Sequence, residues 1–261
     1  MSAHRGVSIR AIAAVALSLV GILGCRPAVR HAVRETRIGP APDSASGWAV
    51  SDDGLHVACR AREGARLRVF HDGVAGPLYD EIPGRQAVLS SDGKHLAYLA
   101  RRGEAWFLVV DGSPRPAYRP VVGVPLTTSE GASRSAYVAL KGSGMAMVVD
   151  GAADRVYDSI SDDALFSPDA RRLAYVARRG DARVVVLDGV EGPTWDAVGS
   201  GSLLFSPDGK RFACAGRRGS HWYVAVDGVV GEACDGVRAS TLYFSPHSSH
   251  WAYACSRGGA D

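Results

Sequence analysis

Short apolar runs separated by tight-turn residues recur along most of the chain. In the best-preserved stretch the runs are Leu203–Phe205, Arg211–Gly216, Trp222–Val226 and Glu232–Val237, broken by Ser-Pro-Asp-Gly, Arg-Arg-Gly and Asp-Gly turns. Each run is short and rich in β-branched or aromatic residues, which predicts four antiparallel strands joined by tight turns. Because no sustained helical period occurs anywhere, the predicted fold class is all-β.

Two sets of glycines show that this four-strand unit is repeated. The glycine that closes a basic turn occurs at Gly64, Gly103, Gly142, Gly180, Gly219 and Gly258. The glycine of an Asp-Gly turn occurs at Gly73, Gly112, Gly151, Gly189 and Gly228. Both sets advance in steps of 38 or 39 residues. Four short strands with a period just under 40 residues are typical of a β-propeller blade.

The turn between the first two strands carries a recognisable motif. Phe-Ser-Pro-Asp-(Gly/Ala)-x-x-(Leu/Phe)-Ala-(Tyr/Cys) stands at residues 166–175 and 205–214, with divergent copies elsewhere and a third repeat that has lost the turn signature. This motif resembles the WD40-like repeats of TolB-type β-propellers from bacterial envelopes. The resemblance extends over residues 31–261 and implies a propeller fold, but no particular TolB function.

The repeat count predicts six blades with a shared closing blade. Five units are whole, and the sixth ends at Asp261 after two strands. His31–Glu35 aligns with third strands and Gly39–Asp43 with fourth strands, so the N-terminal strands are expected to complete the blade begun by the C-terminal ones. Closure of this kind hides sheet edges. The alternative is a truncated product of a protein with more blades.

The first 24 residues have the pattern of a secretory signal. Arg5 and Arg10 precede the apolar run Ala11–Leu23, which ends in Ile-Leu-Gly before Cys25. This ending resembles the lipobox of bacterial lipoproteins, which implies that Cys25 becomes a lipid-modified N-terminus; the alternative is an ordinary cleaved signal with an incidental cysteine. We therefore predict a signal peptide over 1–24, a tether over 25–30 and the propeller over 31–261. The predicted location is the periplasmic side of a bacterial membrane, the outer in preference to the inner.

Charge and cysteine positions limit the possible partners. Without residues 1–24, Lys plus Arg would fall from 30 to 28 against 27 acids, which argues against a nucleic-acid partner. Cys59 and Cys214 stand where other repeats carry Tyr, and Cys234 stands where others carry Tyr or Trp. The export pathway permits disulfides, but these positions favour packing in the core over a disulfide.

The basic turns supply the candidate binding residues. The candidate rim consists of Arg101, Arg102, Arg119, Arg178, Arg179, Arg217, Arg218 and Arg257. It could attract an anionic partner. The competing structural interpretation is that Asp80, Asp158, Asp196 and Asp235, at the ends of fourth strands, pair with these arginines. Arg119 occupies the corresponding position of the second repeat, so this repeat is the preferred place for an unpaired basic patch.

No catalytic motif emerges from the sequence. Gly-x-Ser-x-Gly and His-Glu-x-x-His are both absent. His247 and His250 could suggest a metal, but His250 belongs to a repeated basic position shared with His56, His95, Arg134, Arg172 and Arg211. We predict no metal and no cofactor.

The predicted function is that of a monomeric, non-catalytic binding scaffold for an envelope protein or cell-wall component. A propeller hydrolase or lyase with its site at the channel mouth is the first alternative, because a site assembled from distant residues leaves no local motif. Binding of a small glycan through an exposed aromatic residue is the second.

Overall fold

The computed structural model describes residues 7–16, 31–42, 44–83, 87–121, 123–130, 133–161 and 164–258. These residues lie mostly in β-strands, with a short 3-10 helix at Ala239–Thr241. The chain divides into two compact units, residues 1–115 and 116–261. Within the described ranges, no helix has the length and apolarity to cross a membrane.

Antiparallel sheets follow one another along the chain, and we name five of them A to E. Sheet A contains Ser46–Val50, Val57–Glu63, Arg66–His71 and Val74–Ala75. Sheet B contains Val88–Leu89, Leu96–Arg102, Ala105–Val110 and Ser113–Ala117. Sheet C contains Thr127–Thr128, Ser135–Lys141, Gly144–Val149 and Ala152–Tyr157.

In sheets D and E the first strand is divided into two segments, both paired with the second strand. Sheet D contains Ser159–Ile160, Leu165–Phe166, Leu173–Arg179, Ala182–Leu187 and Val190–Trp195. Sheet E contains Ala197–Val198, Leu204–Phe205, Phe212–Arg218, His221–Val226 and Val229–Val230. Apart from these divided first strands, neighbours in the chain pair antiparallel in all five sheets, which are therefore meanders. The predicted all-β propeller fold is confirmed.

The fourth strand of sheet E differs from the predicted Glu232–Val237. Both residues of the preceding Asp-Gly turn have positive φ, 52° and 82°. A two-residue turn of this kind returns the chain at once, so pairing resumes at Val229–Val230. Gly236–Val237 instead pairs with Cys255–Ser256, which follows sheet E in the chain. Cys234 pairs with Trp222 of sheet E, so the predicted strand is divided between two sheets.

Neighbouring sheets pack through an aromatic side chain placed on a small residue. Trp195, at the end of sheet D, is 1% exposed and lies against Gly216 in the second strand of sheet E. A Cβ atom at Gly216 would lie 2.2 Å from the Trp195 ring, so this position accepts glycine alone. Tyr157 of sheet C and Ala177 of sheet D occupy the equivalent positions within one buried cluster. Burial of a large apolar side chain contributes about 1.5–3 kcal/mol, so these contacts hold adjacent sheets together.

A disulfide replaces this aromatic contact after sheet E. Cys234 and Cys255 are bonded, with their Cα atoms 5.7 Å apart. They occupy the aromatic and the small position of the repeat, which brings the two side chains within bonding distance. The prediction of core packing is therefore wrong for Cys234, whereas Cys59 and Cys214 are free and buried. Burial raises the pKa of the Cys214 thiol to about 12.

The segment predicted to supply two strands of a closing blade is a single strand. His31–Ala41 is one continuous strand, and its antiparallel partner is Val7–Ala16. Extended backbone with unpaired N–H and C=O groups pairs with an available edge, and the apolar segment expected to serve as a signal provides that edge here. The number of blades, the signal peptide and the domain boundaries stay predictions. Residue 43, expected to end the fourth strand, lies outside the described residues.

We expect loss of the disulfide to destabilise the protein by about 2–4 kcal/mol, the usual range for a bridge that closes a loop of this length. The Cys234→Ala/Cys255→Ala variant should therefore unfold at lower urea concentration than the parent. Dithiothreitol should lower the unfolding midpoint of the parent and of a Cys214→Ala control, and leave the double variant unchanged. A parent midpoint insensitive to dithiothreitol would contradict the bond.

Candidate functional site

An aspartate in each Asp-Gly turn holds the corner of its sheet. In sheet D, Asp188 Oδ1 accepts the Leu173 N–H at 2.9 Å, and Oδ2 accepts a bond from Arg172 Nε at 2.9 Å. Arg172 also donates to the Lys210 carbonyl of sheet E at 2.9 Å. Equivalent basic–acidic pairs are His56–Asp72, His95–Asp111, Arg134–Asp150 and Arg211–Asp227. The repeated basic position is thus a structural contact in these sheets.

The Ser-Pro-Asp turns are also tied to the sheet by hydrogen bonds. Buried Ser206 donates from Oγ to Asp208 Oδ1 at 2.6 Å and accepts the Arg211 N–H at 2.9 Å. The Ser206 hydroxyl, followed by the Lys210 N–H, lowers the pKa of Asp208. In the third repeat, which lacks the signature, Ser129 keeps the bond to Arg134, while Ser133 stands near the serine hydroxyl instead of a carboxylate. These acidic turns therefore have a structural role.

The second arginine of the basic turn lies over the aromatic residue of the preceding sheet. The guanidinium of Arg218 is 4.5 Å from the centre of the Trp195 ring, and Arg218 Nε donates to the Thr194 carbonyl at 3.0 Å. Arg102 and Arg179 lie over tyrosine rings in the same way, at 5.0 and 5.6 Å. Cation–π contacts of this kind contribute on the order of 0.5–2 kcal/mol. These predicted rim residues stabilise contacts between sheets.

The other predicted rim residues have different surroundings. Arg101 Nε donates to Glu81 at 3.0 Å, Arg178 Nε donates to Ser159 Oγ at 3.2 Å, and Arg257 pairs with Glu232. Arg217 is exposed, and no described residue accepts a hydrogen bond from its side chain. Cys25, the predicted lipidation site, lies outside the described residues.

The aspartates at the crossings between sheets bind backbone amides of the basic turns. Oδ2 accepts the N–H of the turn glycine in four places: Asp80 from Gly103 at 2.7 Å, Asp158 from Gly180 at 2.6 Å, Asp196 from Gly219 at 2.6 Å and Asp235 from Gly258 at 2.7 Å. This bond is the main cause of the lowered pKa of Asp80. The backbone N–H is thus the hydrogen-bond partner of these aspartates, while the turn arginines Arg101 and Arg102 lower the pKa of Asp80 through smaller electrostatic interactions.

The crossing into sheet C departs from this pattern. Arg119 stands in place of the aspartate, so the Gly142 turn lacks the carboxylate contact found at the other crossings. The preceding aromatic residue, Tyr118, is 43% exposed, whereas Trp195 is 1% exposed. In the Gly142 turn, Leu140 is 42% exposed and Lys141 is exposed as well. We call Tyr118, Arg119, Leu140 and Lys141 the Tyr118 patch.

Backbone contacts hold the Tyr118 patch in place. The Leu140 N–H donates to the Arg119 carbonyl at 3.0 Å, and the Tyr118 N–H donates to the hydroxyl of buried Tyr137 at 2.9 Å. No described residue accepts a hydrogen bond from the Arg119 or Lys141 side chain. The patch therefore combines two unpaired cations with exposed aromatic and aliphatic surface. This composition suits a partner with an acidic group beside apolar surface.

The repeat alignment points to Arg119, but not to the three other members of the patch. Tyr118 is aromatic, like the buried residues at the equivalent position of other repeats. The sequence therefore does not show that its ring is exposed. Leu140 and Lys141 do depart from the Arg-Arg pattern, and a comparison of turn positions could have identified them. Exposure of Tyr118 required the structure.

A second departure from the repeat lies on a groove of about 460 Å³ in the 116–261 unit. Asp154 stands where sheets D and E have Gly192 and Gly231, and it accepts a hydrogen bond from the Tyr175 hydroxyl at 2.9 Å. Tyr157 donates similarly to Glu191 at 3.1 Å. Burial, and then the bond to Asp154, raise the pKa of Tyr175. A phenol held in its protonated form acts here as a hydrogen-bond donor, which favours a structural role for this pair.

No family profile matches the sequence, and no curated protein matches it significantly. Among solved structures, TolB from Acinetobacter baumannii aligns with 14% identity and a TM-score of 0.40, over 77% of this chain and 59% of that one. The β-propeller domain of the Trilobed protease from Pyrococcus furiosus aligns with 10% identity and a TM-score of 0.41, over 82% and 75% of the two chains. A eukaryotic initiation factor aligns with 13% identity and a TM-score of 0.47, over 77% and 55%. Activity and partners must therefore be argued from this chain's own residues.

Arg119→Asp should stabilise the protein, because it supplies the carboxylate that other crossings direct at the turn glycine. The urea midpoint should rise, since a hydrogen bond to a charged group adds net stability. The reciprocal variant, Asp158→Arg, should lower the midpoint. If Arg119→Asp destabilises the fold while Asp158→Arg is neutral, the crossing aspartates do not have the role assigned to them.

Proposed function

We propose that this protein is an exported, lipid-anchored and non-catalytic propeller that binds an envelope partner through the Tyr118 patch. The observation that carries the proposal is the change at one crossing from a structural aspartate to Arg119, together with exposure of the adjacent Tyr118 ring. At other crossings the same positions contribute contacts between sheets. Residues that give up such contacts and face solvent are available to a partner.

The chemistry of the patch favours a protein partner over a cell-wall component. Tyr118 and Leu140 present aromatic and aliphatic surface, while Arg119 and Lys141 supply positive charge at its edge. Aromatic residues and arginine are enriched where protein interfaces bind most strongly. An acidic side chain flanked by apolar residues would complement this surface. Binding to a purely polar, anionic wall polymer would leave the apolar area unused.

The side chains at the two departures from the repeat favour surface binding over catalysis. The Tyr118 patch combines exposed basic and apolar groups, which suit recognition. The other departure, Asp154 with Tyr175, ties down a phenol that is kept protonated. The proposed partner therefore binds a rigid surface without being chemically altered, and the protein acts as a monomer.

The lipid anchor would keep the protein close to a membrane. The Ile-Leu-Gly-Cys sequence ending at Cys25 supports acylation there and a location on the periplasmic side, with the outer membrane preferred. Six residues of tether can reach only about 20 Å when fully extended. Partners in or near the same membrane would thus be within reach, and this restriction favours an envelope protein.

Photocrosslinking in intact cells tests the patch directly. Benzoylphenylalanine at position 140 should give a discrete protein adduct, whereas the same group at position 165 should not, because Leu165 is similarly exposed but lies outside the patch. Arg119→Asp in the first variant should abolish the adduct, since it reverses the charge at the patch. Equal adducts from both positions, an adduct unaffected by Arg119→Asp, or an adduct with glycan alone would contradict a protein partner at this surface.

Cys25→Ala tests the anchor separately from the patch. The parent protein should partition with membranes and into detergent, because it carries the lipid, whereas the variant should be recovered in the soluble periplasmic fraction. Mass spectrometry of the parent N-terminal peptide should show an acylated Cys25. An unmodified Cys25, or a Cys25→Ala variant that stays with the membrane to the same extent, would contradict lipid anchoring.

A further inference from the structure

Two imidazoles and one carboxylate converge at the edge of sheet A. His56 Nδ1 lies 2.6 Å from Asp72 Oδ2, and His71 Nε2 lies 3.7 Å from the same oxygen. The three candidate ligand atoms, one from each residue, all lie within 4.8 Å of one another. The side chains of His56, His71 and Asp72 are 32, 28 and 30% exposed, so the cluster is open to solvent on one side.

His71 is what distinguishes this corner from the same corner of the other sheets. The basic–acidic pair His56–Asp72 is the structural contact found throughout the repeat, and His95–Asp111 is its counterpart in sheet B. The residue before the turn aspartate is Val110 in sheet B and an apolar residue in sheets C, D and E, but His71 in sheet A. A second imidazole is not needed for the structural contact, because four other sheets lack it.

The surroundings of the cluster favour a cation. His56 interacts electrostatically with Asp53 and Asp92 as well as with Asp72. His71 interacts in the same way with Asp111 across the contact between sheets A and B. Carboxylates from two Ser-x-Asp turns and two hairpin turns thus make the local potential negative around the two imidazole rings.

We propose that His56 Nδ1, His71 Nε2 and Asp72 Oδ2 bind a divalent transition-metal ion, with zinc as the expected metal. Two imidazoles and one carboxylate form a donor set that suits zinc, and water would fill the remaining position at this exposed site. A tetrahedral site with bonds of about 2.0–2.1 Å places its ligand atoms about 3.3 Å apart. The 2.6 Å contact must open and the 3.7 Å contact must shorten, both by less than 1 Å.

Each of the three side chains would exchange an existing contact in this adjustment. His71 Nε2 is now 2.9 Å from the Gly93 carbonyl and would turn from that oxygen towards the metal. The His56 ring lies against Gly93, where a Cβ atom would be 2.3 Å from it, so the backbone limits the ring on one side. Asp72 keeps Oδ1 on the Val57 N–H at 2.8 Å, while Oδ2 would exchange its contact with His56 Nδ1 for the ion. The turn is therefore held in place while one carboxylate oxygen acts as a ligand.

The spacing in the sequence conceals this site. His56 precedes one strand, whereas His71 ends the next and Asp72 follows it. The antiparallel pairing of Val57–Glu63 with Arg66–His71 is therefore needed to bring the three residues together. The two histidines considered from the sequence, His247 and His250, are not part of any group of three ligating side chains among the described residues.

Zinc titration of the full-length protein in detergent, followed by calorimetry, tests the proposal. His71→Val gives sheet A the valine that sheet B has at the equivalent position, Val110. His56→Arg gives it the arginine that sheet C has, Arg134, which pairs with the turn aspartate there. Both variants keep the structural contact and remove one ligand. Each should weaken zinc binding at least ~100-fold, because loss of an outer-shell partner alone costs about 10–100-fold. In sheet B the His95–Asp111 pair has Val110 beside it, and valine cannot bind a metal. His95→Ala is therefore the control and should leave the affinity for zinc unchanged.

The readouts distinguish this site from other histidines in the chain. Zinc should raise the unfolding temperature of the parent and of His95→Ala, but not of His71→Val or His56→Arg. Cobalt absorption in the parent should report nitrogen and oxygen ligands, and this signal should be lost in the same two variants. Absence of zinc binding by the parent, or equal affinity in the parent and both ligand variants, would overturn the proposal.

Discussion

The turn aspartate is the interaction on which the architecture depends. In each sheet this one side chain binds a backbone N–H of the second strand and a basic side chain that begins the same strand. Its own backbone has a positive φ of 49–54°, a conformation that aspartate tolerates better than most residues. Since arginines at this position also reach the following sheet, one carboxylate couples the hairpin to the contact between sheets. A repeat can therefore keep its geometry while most of its surface residues vary.

Packing between sheets follows from that geometry. Once the corner is fixed, the end of each fourth strand crosses onto the second strand of the next sheet, where an aromatic ring meets a small residue. Trp195 on Gly216, Tyr157 beside Ala177 and the Cys234–Cys255 bond are three chemical solutions at one pair of positions. Exposed Tyr118 is the exception, and it coincides with loss of the crossing aspartate. The same few positions thus carry either a contact between sheets or side chains exposed to solvent.

Much of this architecture could be predicted from the sequence, because turns are local. Asp-Gly turns specify tight hairpins from their own φ preferences, so period, strand order and fold class follow from them. Pairings between distant segments could not be predicted in the same way. The partner of His31–Ala41 depends on which strand edge is available. The Cys234–Cys255 bond depends on where the chain leaves sheet E, and the predicted fourth strand placed that point too late.

The candidate sites show the same limit. Arg119 departs from its column in charge and is visible in the alignment of repeats, whereas exposure of Tyr118 depends on packing that no local pattern encodes. His71 departs from its column as clearly as Arg119 does. Its proximity to His56, however, arises across a hairpin. Departures from a repeat therefore indicate candidate functional positions. The chemistry available at each position depends on which residues the fold places beside it.

The cysteine pair has a consequence for how the protein survives proteolysis. The segment between Cys234 and Cys255 includes loops and short strands, the kind of backbone that proteases cut first. A single cut there would leave both fragments covalently joined, because the bond spans the 21-residue separation. The strands beyond the cut would remain tethered to sheet E and could re-pair. The last part of the chain can thus be nicked without being shed.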